Sequence, residues 1–438
     1  MKKVCIIGGG ISGIASAIFL SRAGYDVSLF ESTSKLGGRT YSVSDRYLDA
    51  TYDNGKHIFA GWYKDTLELL NILGTKDKVT NSRFRLAIAH KDVLLMSDAR
   101  KRFSLFNYLL MLRKTGLIRW IDLWRVFIQY NKIKSINDTV SYKMSNFLQQ
   151  QKVSDNLSYY FWVPLVHSIF NCDLEDVNIK VIKNLMLDIG FNRTKLSFFC
   201  SDKTLNEIFI QPAINFFHTY GVKYYLNSKV SKFLLRDGKI DGIAINGEIK
   251  NNFDYYISAV RADQFGFLID GFSQSEKILI DSFHFNPIIS VHLFIDDNLF
   301  NNKLKEVTSL MLAIFQPIPL WLFKNGQNYL SFIISNARKY IDYDRNQMLY
   351  LCIKVLRENN LVDLNERNIK HFSVVKERFA TIVPEHSRLG LQFFSDFLPP
   401  NLLVCGDWTS KLGFSTIEAA ISSSKLVVKK LDEIEGQH

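Results

Sequence analysis

The sequence lacks the residue patterns that would make it a disulfide scaffold or a zinc protein. Its 438 residues hold five cysteines, Cys5, Cys172, Cys200, Cys352 and Cys405, an odd number without a CxxC pair. That usage argues against a disulfide framework and against a cysteine-ligated metal, and it points to a reducing, cytosolic compartment. A membrane-spanning run is also missing. The longest uncharged apolar stretch, Val307 to Phe323, is broken by Pro317 and Pro319 and is shorter than the ~18 residues that suggest a transmembrane helix. Lys2-Lys3 followed by apolar residues imitates a short signal peptide, but Gly8, Gly9 and Gly10 fall where its apolar helix would run. There is no internal repeat, no low-complexity linker, no Ser-His-Asp triad and no metal-ligand cluster, and His167 and His292 have no partner at ligand spacing. No nucleic-acid-binding motif accompanies the net charge of +11, so the anionic partner expected of that charge is a membrane surface rather than nucleic acid.

The chain is too long for one core, so two domains are expected. Phe (34) and Tyr (19) are plentiful, enough either to line a large apolar pocket or to fill the core. Along the chain, Val4 to Ile7 reads as a buried strand, Ile11 to Ala23 as a helix closed by Gly24, and Val27 to Phe30 as a second strand ended by Glu31. This is a βαβ unit with parallel strands. From Arg100 to Lys134 the sequence is aromatic, aliphatic and basic, with Asp122 its single acid, and is expected to be helical. Helices are also expected over Ile179 to Phe191, Leu205 to Tyr220 and Thr416 to Leu431. Strands are expected over Val222 to Leu226, Val230 to Arg236, Ile240 to Ile245, Tyr255 to Ala259, Ile288 to Ile295 and Leu402 to Cys405. Asp237-Gly238 signals a hairpin.

Three motifs carry chemistry. Gly8-Gly9-Gly10-Ile11-Ser12-Gly13 is GxGxxG between a strand and a helix. Its glycines let the backbone approach a pyrophosphate, and the helix N-terminus directs free N–H groups at the phosphates. Glu31 is spaced to accept hydrogen bonds from ribose hydroxyls. Gly37-Gly38-Arg39-Thr40 brings a planar cation to the same pyrophosphate. Near the C-terminus, Gly406-Asp407-Trp408-Thr409 follows a strand, and Ser415-Thr416-Ile417-Glu418-Ala419-Ala420 opens a helix in which Ser415 or Thr416 is the expected cap.

Together these motifs resemble the flavin amine oxidase superfamily, which includes phytoene-type desaturases and protoporphyrinogen oxidase. The resemblance implies FAD as cofactor and an α/β fold. A Rossmann-like (GR2-type) FAD-binding domain, discontinuous over 1–85, 205–258 and 390–438, would carry an inserted mixed α+β substrate domain over 86–204 and 259–389. It implies that Asp407 hydrogen-bonds the flavin's ribityl hydroxyls, that the helix begun by Thr416 and Ile417 faces the pyrimidine end of the ring, and that Val230 contacts the adenine through its backbone. More narrowly, Asp53-Asn54-Gly55-Lys56-His57 with Tyr63 to Thr66, the stretch from Pro164-Leu165 to Asn171, and Lys376 to Thr381 look like segments of hydroxysqualene dehydroxylases. The sequence departs from them at Lys56, where glutamine is usual, and in the loop Ser410 to Ser415.

That likeness implies a reductive reaction on a long apolar isoprenoid. The allylic alcohol hydroxysqualene would lose water and gain hydride to give squalene. Such a reaction needs a hydride from reduced flavin, an acid at the leaving oxygen and an apolar tunnel. His57, then Asp53 and Lys56, are the candidate acids. Phe161, Trp162 and Trp408 are candidates for an aromatic wall, with core packing as their alternative role. No second dinucleotide fingerprint is present to identify the electron donor. The substrate would be drawn from a bilayer, and Arg100 to Lys134 could rest on an acidic membrane. Competing readings are a carotenoid-type desaturase, a flavin amine oxidase, and, from another class, a prenyl-lipid-binding protein of the GDP-dissociation-inhibitor type.

Overall fold

The protein structure is a computed structural model. It describes residues 1–45, 50–80, 85–90, 93–96, 105–137, 142–189, 197–270, 274–296, 299–300, 302–305, 307, 309–362, 364, 366–384 and 398–436. The expected boundary near 390, residues 100–104 of the basic segment and the last two residues of the helix expected over Ile179 to Phe191 lie outside these.

A five-stranded parallel sheet runs in the order Leu402–Val404, Tyr255–Ser258, Lys3–Ile7, Asp26–Phe30, Lys223–Tyr225. Its strands come from widely separated parts of the chain. Lys3–Ile7 is central and its last four residues are buried, as expected of a strand covered on both faces. Helix Ile11–Arg22 crosses over to Asp26–Phe30, and helix Ile417–Ile434 packs beside it. Ile14, Ile18, Leu29, Ile257, Leu403 and Ile421 fill the space between helices and sheet. The expected βαβ unit, hairpin and C-terminal strand and helix all form. In the hairpin, Arg236 pairs with Lys239 across Asp237 (φ 50°) and Gly238 (φ 75°), the two positive angles of a type I′ turn.

A seven-stranded sheet forms the second layer, in the order Ile369–Ile382, Phe285–Ile295, Tyr329–Ile334, Leu320–Asn325, Ser309–Ile314, Arg85–His90, Val93–Met96. All its pairings are antiparallel except that of Ser309–Ile314 with Arg85–His90. The apolar run Val307 to Phe323 therefore supplies two strands, and its prolines sit in the turn between them. No helix among the described residues is long and apolar enough to cross a membrane. All five cysteines are buried, and none is joined in a disulfide.

One expectation needs correction. The stretch Leu205 to Tyr220 is not a uniform α-helix: Asn206–Ile210 is a π-helical turn that passes into helix Gln211–Tyr220. Pro212 lacks an N–H and crowds the carbonyl of the preceding turn, so the helix widens there. Pro164 has the same effect at Ser158–Trp162, just before helix Val163–Phe170.

Candidate cofactor and substrate site

A cavity of about 860 Å³ lies where the parallel sheet meets the seven-stranded sheet. Gly8, Gly10, Ile11 and Ser12 reach it from the first motif, Gly37, Gly38 and Arg39 from the second, and Gly406, Asp407, Thr416 and Ile417 from the third, with Glu31 and Val230 beside them. The two glycine turns are fastened together by the Gly37 amide donating to the Gly9 carbonyl at 2.8 Å. Helix Ile11–Arg22 begins with no side-chain cap, so its first N–H groups remain for a ligand. Gly8 has φ +103°, and a Cβ there would stand 2.9 Å from the Ala259 carbonyl oxygen. Only glycine closes this turn onto the neighbouring strand.

Glu31 is buried and both its oxygens are engaged. Oε2 accepts from the Gly9 amide at 2.7 Å, and Oε1 accepts from the Thr33 amide and hydroxyl, each at 2.8 Å. Each carboxylate oxygen has two lone pairs, so Oε2 retains capacity for a ribose hydroxyl. Gly13 does not line the cavity. It stands behind the wall, where a Cβ would fall 1.9 Å from the Gly8 oxygen. Arg39 and Asp407, which the sequence assigns to different parts of the cofactor, meet each other at 2.7 Å. Burial alone would raise the Asp407 carboxyl, but the Arg39 charge and hydrogen bond hold it below the usual carboxylate range. Arg39 also donates to the Ala380 carbonyl at 2.8 Å, which leaves it further donors. An open helix N-terminus, close-packed glycine turns, a carboxylate and a guanidinium share one cavity. These residues fit an FAD dinucleotide.

The structure also joins the other motifs to one another. Glu418 of the C-terminal motif is buried and accepts from the Asp65 amide (3.0 Å), the Thr66 amide (2.8 Å) and the Thr66 hydroxyl (2.7 Å). It thereby caps helix Lys64–Ile72, whose own cap residue makes no side-chain bond. Asn171, in the left-handed conformation at φ 52°, donates from Nδ2 to Thr381 Oγ1 at 2.8 Å. Asn54 donates to the Arg39 carbonyl at 2.8 Å.

The candidate acids fare differently. His57 and Lys56 line the cavity. Burial, then the Lys56 charge, push the His57 imidazole down to about 4, so near neutral pH it carries no surplus proton. Lys56 Nζ donates to the Ser201 carbonyl at 2.6 Å. Asp53 does not reach the cavity, and its assignment as an acid is corrected. It accepts from the Leu205 amide at 2.7 Å and from Ser42 Oγ at 2.8 Å, holding strand Ala50–Asp53 to the π-turn. Phe161 and Trp162 are core residues, with Trp162 Nε1 donating to Gln129 Oε1. Trp408 is buried against Phe265 and Phe283. The aromatic side chains on the cavity are instead Phe30, Tyr63, Phe267, Trp321 and Phe323.

Sequence reasoning missed the pair His167 and Asp173. His167 lines the cavity, and its Nε2 lies 3.0 Å from Asp173 Oδ1. The hydrogen bond with His167 is the main reason the Asp173 carboxyl is held below its usual range. The signal lay in Asn171: a left-handed residue ending helix Val163–Phe170 turns the chain so that Asp173 comes back beside the last turn.

The family described as flavin containing amine oxidoreductase matches residues 11–431. The chain is 20% identical over 486 residues to 15-cis-phytoene desaturase of Synechococcus elongatus, covering 99% of this chain and 97% of the relative. It is 24% identical over 447 residues to hydroxysqualene dehydroxylase of Rhodopseudomonas palustris, covering 96% of each. An oxidoreductase from Methanosarcina mazei has the same fold, with a TM-score of 0.71 at 15% identity over 98% of this chain and 100% of that one. With its glycine turns, Glu31 and Arg39 gathered on one cavity and a family match running nearly end to end, the chain belongs to the flavin containing amine oxidoreductase family and is an FAD-dependent oxidoreductase.

Proposed function

We propose that the protein acts on a long apolar isoprenoid, and that its reaction is the reductive dehydroxylation of hydroxysqualene to squalene. When bound and reduced by an electron donor, the flavin of FAD would supply the hydride and be left oxidised. The observation that carries the reading is the His167–Asp173 pair on a cavity that also presents Ile58, Ile169, Ile288, Trp321 and Phe323. Losing hydroxide as water consumes one proton, and hydride addition at the same carbon completes the exchange of C–O for C–H. Desaturation releases a proton instead. Asp173 orients the His167 ring, as a carboxylate partner does for a catalytic imidazole. The apolar side chains exclude water and hold the chain of the substrate. The similarity to hydroxysqualene dehydroxylase across nearly the whole chain supports the same reading, while the similarity to phytoene desaturase keeps isoprenoid desaturation as the second.

On this reading the segments 1–85, 205–258 and 390–438 form the cofactor-binding unit and 86–204 with 259–389 form the substrate unit. The distribution of parallel-sheet strands supports that division.

His167→Gln is expected to slow turnover of hydroxysqualene by about 10²–10⁴-fold, the usual contribution of a positioned acid, with FAD still bound. Asp173→Asn should give a smaller loss. Stopped-flow rates on flavin-replete protein measure both, and wild-type rates in His167→Gln would remove the residue from the role.

A further inference from the structure

Helix Trp120–Lys134 buries one side and leaves apolar side chains on the other substantially exposed. Its inward face carries Asp122, Gln129 and Ile133. Its outward face carries Trp120 (65% exposed), Ile121 (48%), Trp124 (60%), Phe127 (44%) and Ile128 (37%). At ~100° per residue these five fall within a stripe roughly 120° wide. Phe106, 62% exposed, is a further apolar side chain on the adjacent helix Leu105–Lys114. An isolated exposed aromatic needs no explanation, but a contiguous stripe of this kind marks a contact surface.

The surrounding charge says what kind of contact. Arg125 and Lys132 follow one edge of the stripe and Arg119 and Lys134 the other, and Arg113 lies over the Trp120 ring at 4.9 Å. The only acid between residues 105 and 134 is Asp122. It is buried, receiving the Arg119 amide at 2.9 Å and Ser154 Oγ at 3.3 Å, and it pairs with the Arg119 guanidinium at 3.5 Å and the Arg125 guanidinium at 3.6 Å, so Lys132 and Lys134 are the edge cations it does not engage. The outward face of this helix therefore presents tryptophan, phenylalanine and cations without an acid. A second copy docked about a two-fold axis would oppose like charges. An anionic bilayer satisfies both features: the rings enter the headgroup boundary and the cations meet lipid phosphates.

The helix is also one layer from the cavity. Gln129 on its inward face accepts from Trp162, and Trp162 leads directly into helix Val163–Phe170, whose His167, Ser168 and Ile169 line the cavity.

We propose that the outward face of helix Trp120–Lys134, with Trp120, Trp124 and Phe127 as its insertion residues, is a docking surface for an anionic lipid bilayer. This does not depend on which isoprenoid is the substrate, because docking is measured without turnover. The test is flotation of the full-length flavoprotein with vesicles of phosphatidylcholine alone or with about one third phosphatidylglycerol. Wild type is expected to float with the anionic vesicles and to be released as salt rises. Trp120→Ser/Trp124→Ser/Phe127→Ser should bind about tenfold more weakly or worse, and Lys132→Gln/Lys134→Gln should weaken the preference for anionic lipid. Both variants should keep bound flavin and the wild-type melting temperature. Wild type that stays with the soluble fraction, or an aromatic variant that floats like wild type, overturns the proposal. So does a dimer in light scattering that the aromatic variant dissolves, which would assign the stripe to a second copy.

Discussion

Gly13→Ala is expected to strip the protein of flavin and to lower its melting temperature. Gly13 lies in the first turn of helix Ile11–Arg22, where a Cβ would stand 1.9 Å from the Gly8 oxygen and 3.1 Å from its carbon. Both contacts are backbone, so no side chain can swing aside. The helix must move off the turn that aims its N-terminus into the cavity. We expect a stability loss of about 3 kcal/mol, the upper end for overpacking, and FAD affinity reduced about a hundredfold, roughly 2.7 kcal/mol. Gly10→Ala separates the two effects. Gly10 has an ordinary φ of −70°, and a Cβ there would meet only Gly38 Cα, at 4.0 Å. The apo protein should melt normally, yet FAD should bind more weakly because the methyl group occupies space on the phosphate-facing wall. Dialysis followed by flavin absorbance, with calorimetry of the apo forms, measures both. A Gly13→Ala protein that melts like wild type and keeps stoichiometric flavin would contradict this account of the helix–turn contact.

The second large effect is expected at Glu418. Alanine there strands the Asp65 and Thr66 amides and the Thr66 hydroxyl in a buried environment. Each unsatisfied buried donor costs about 1–3 kcal/mol, so a loss of roughly 3 kcal/mol or more is expected. Glu418→Gln keeps one side-chain carbonyl and should lose about half as much on the same scale. Thermal or denaturant unfolding of the two variants gives the comparison. An unchanged transition for Glu418→Ala would mean that helix Lys64–Ile72 does not depend on this cap.

How far the sequence could be read depended on how local the determining interaction is. The strand Lys3–Ile7, helix Ile11–Arg22 and strand Asp26–Phe30 were legible because apolar runs and glycines within thirty residues specify them. The hairpin at Asp237-Gly238 was legible for the same reason. The seven-stranded sheet was not. Arg85–His90 pairs with Ser309–Ile314, and Phe285–Ile295 with Ile369–Ile382, and nothing local in those runs names the partner. The π-turns before Pro164 and Pro212 left a visible mark, the proline itself, whose consequence for the preceding turn went unread.

At the site, the glycine turns, Glu31, Arg39, Asp407, Thr416 and Ile417 lie around one cavity and each belongs to a motif with its own physical logic, whereas Val230, also on the cavity, was expected there only from the family resemblance. Asp53 failed because it is the last residue of strand Ala50–Asp53 and faces the π-turn, whereas the residues that follow have left the strand. Its neighbours Asn54, Gly55, Lys56 and His57 all line the cavity, while Asp53 bonds to Ser42 and Leu205. Glu418 was read only as part of a helix start. Its partners Asp65 and Thr66 lie more than 350 residues earlier, and the two motifs explain each other only once the fold joins them.

The most direct test is an anaerobic single turnover. The purified flavoprotein is reduced with dithionite and mixed with hydroxysqualene, and flavin absorbance and products are followed together. The account predicts that squalene forms as the flavin reoxidises, one for one, and that His167→Gln slows both signals alike. Reduced flavin that persists beside intact hydroxysqualene, while the oxidised protein desaturates an isoprenoid hydrocarbon such as phytoene, would contradict it.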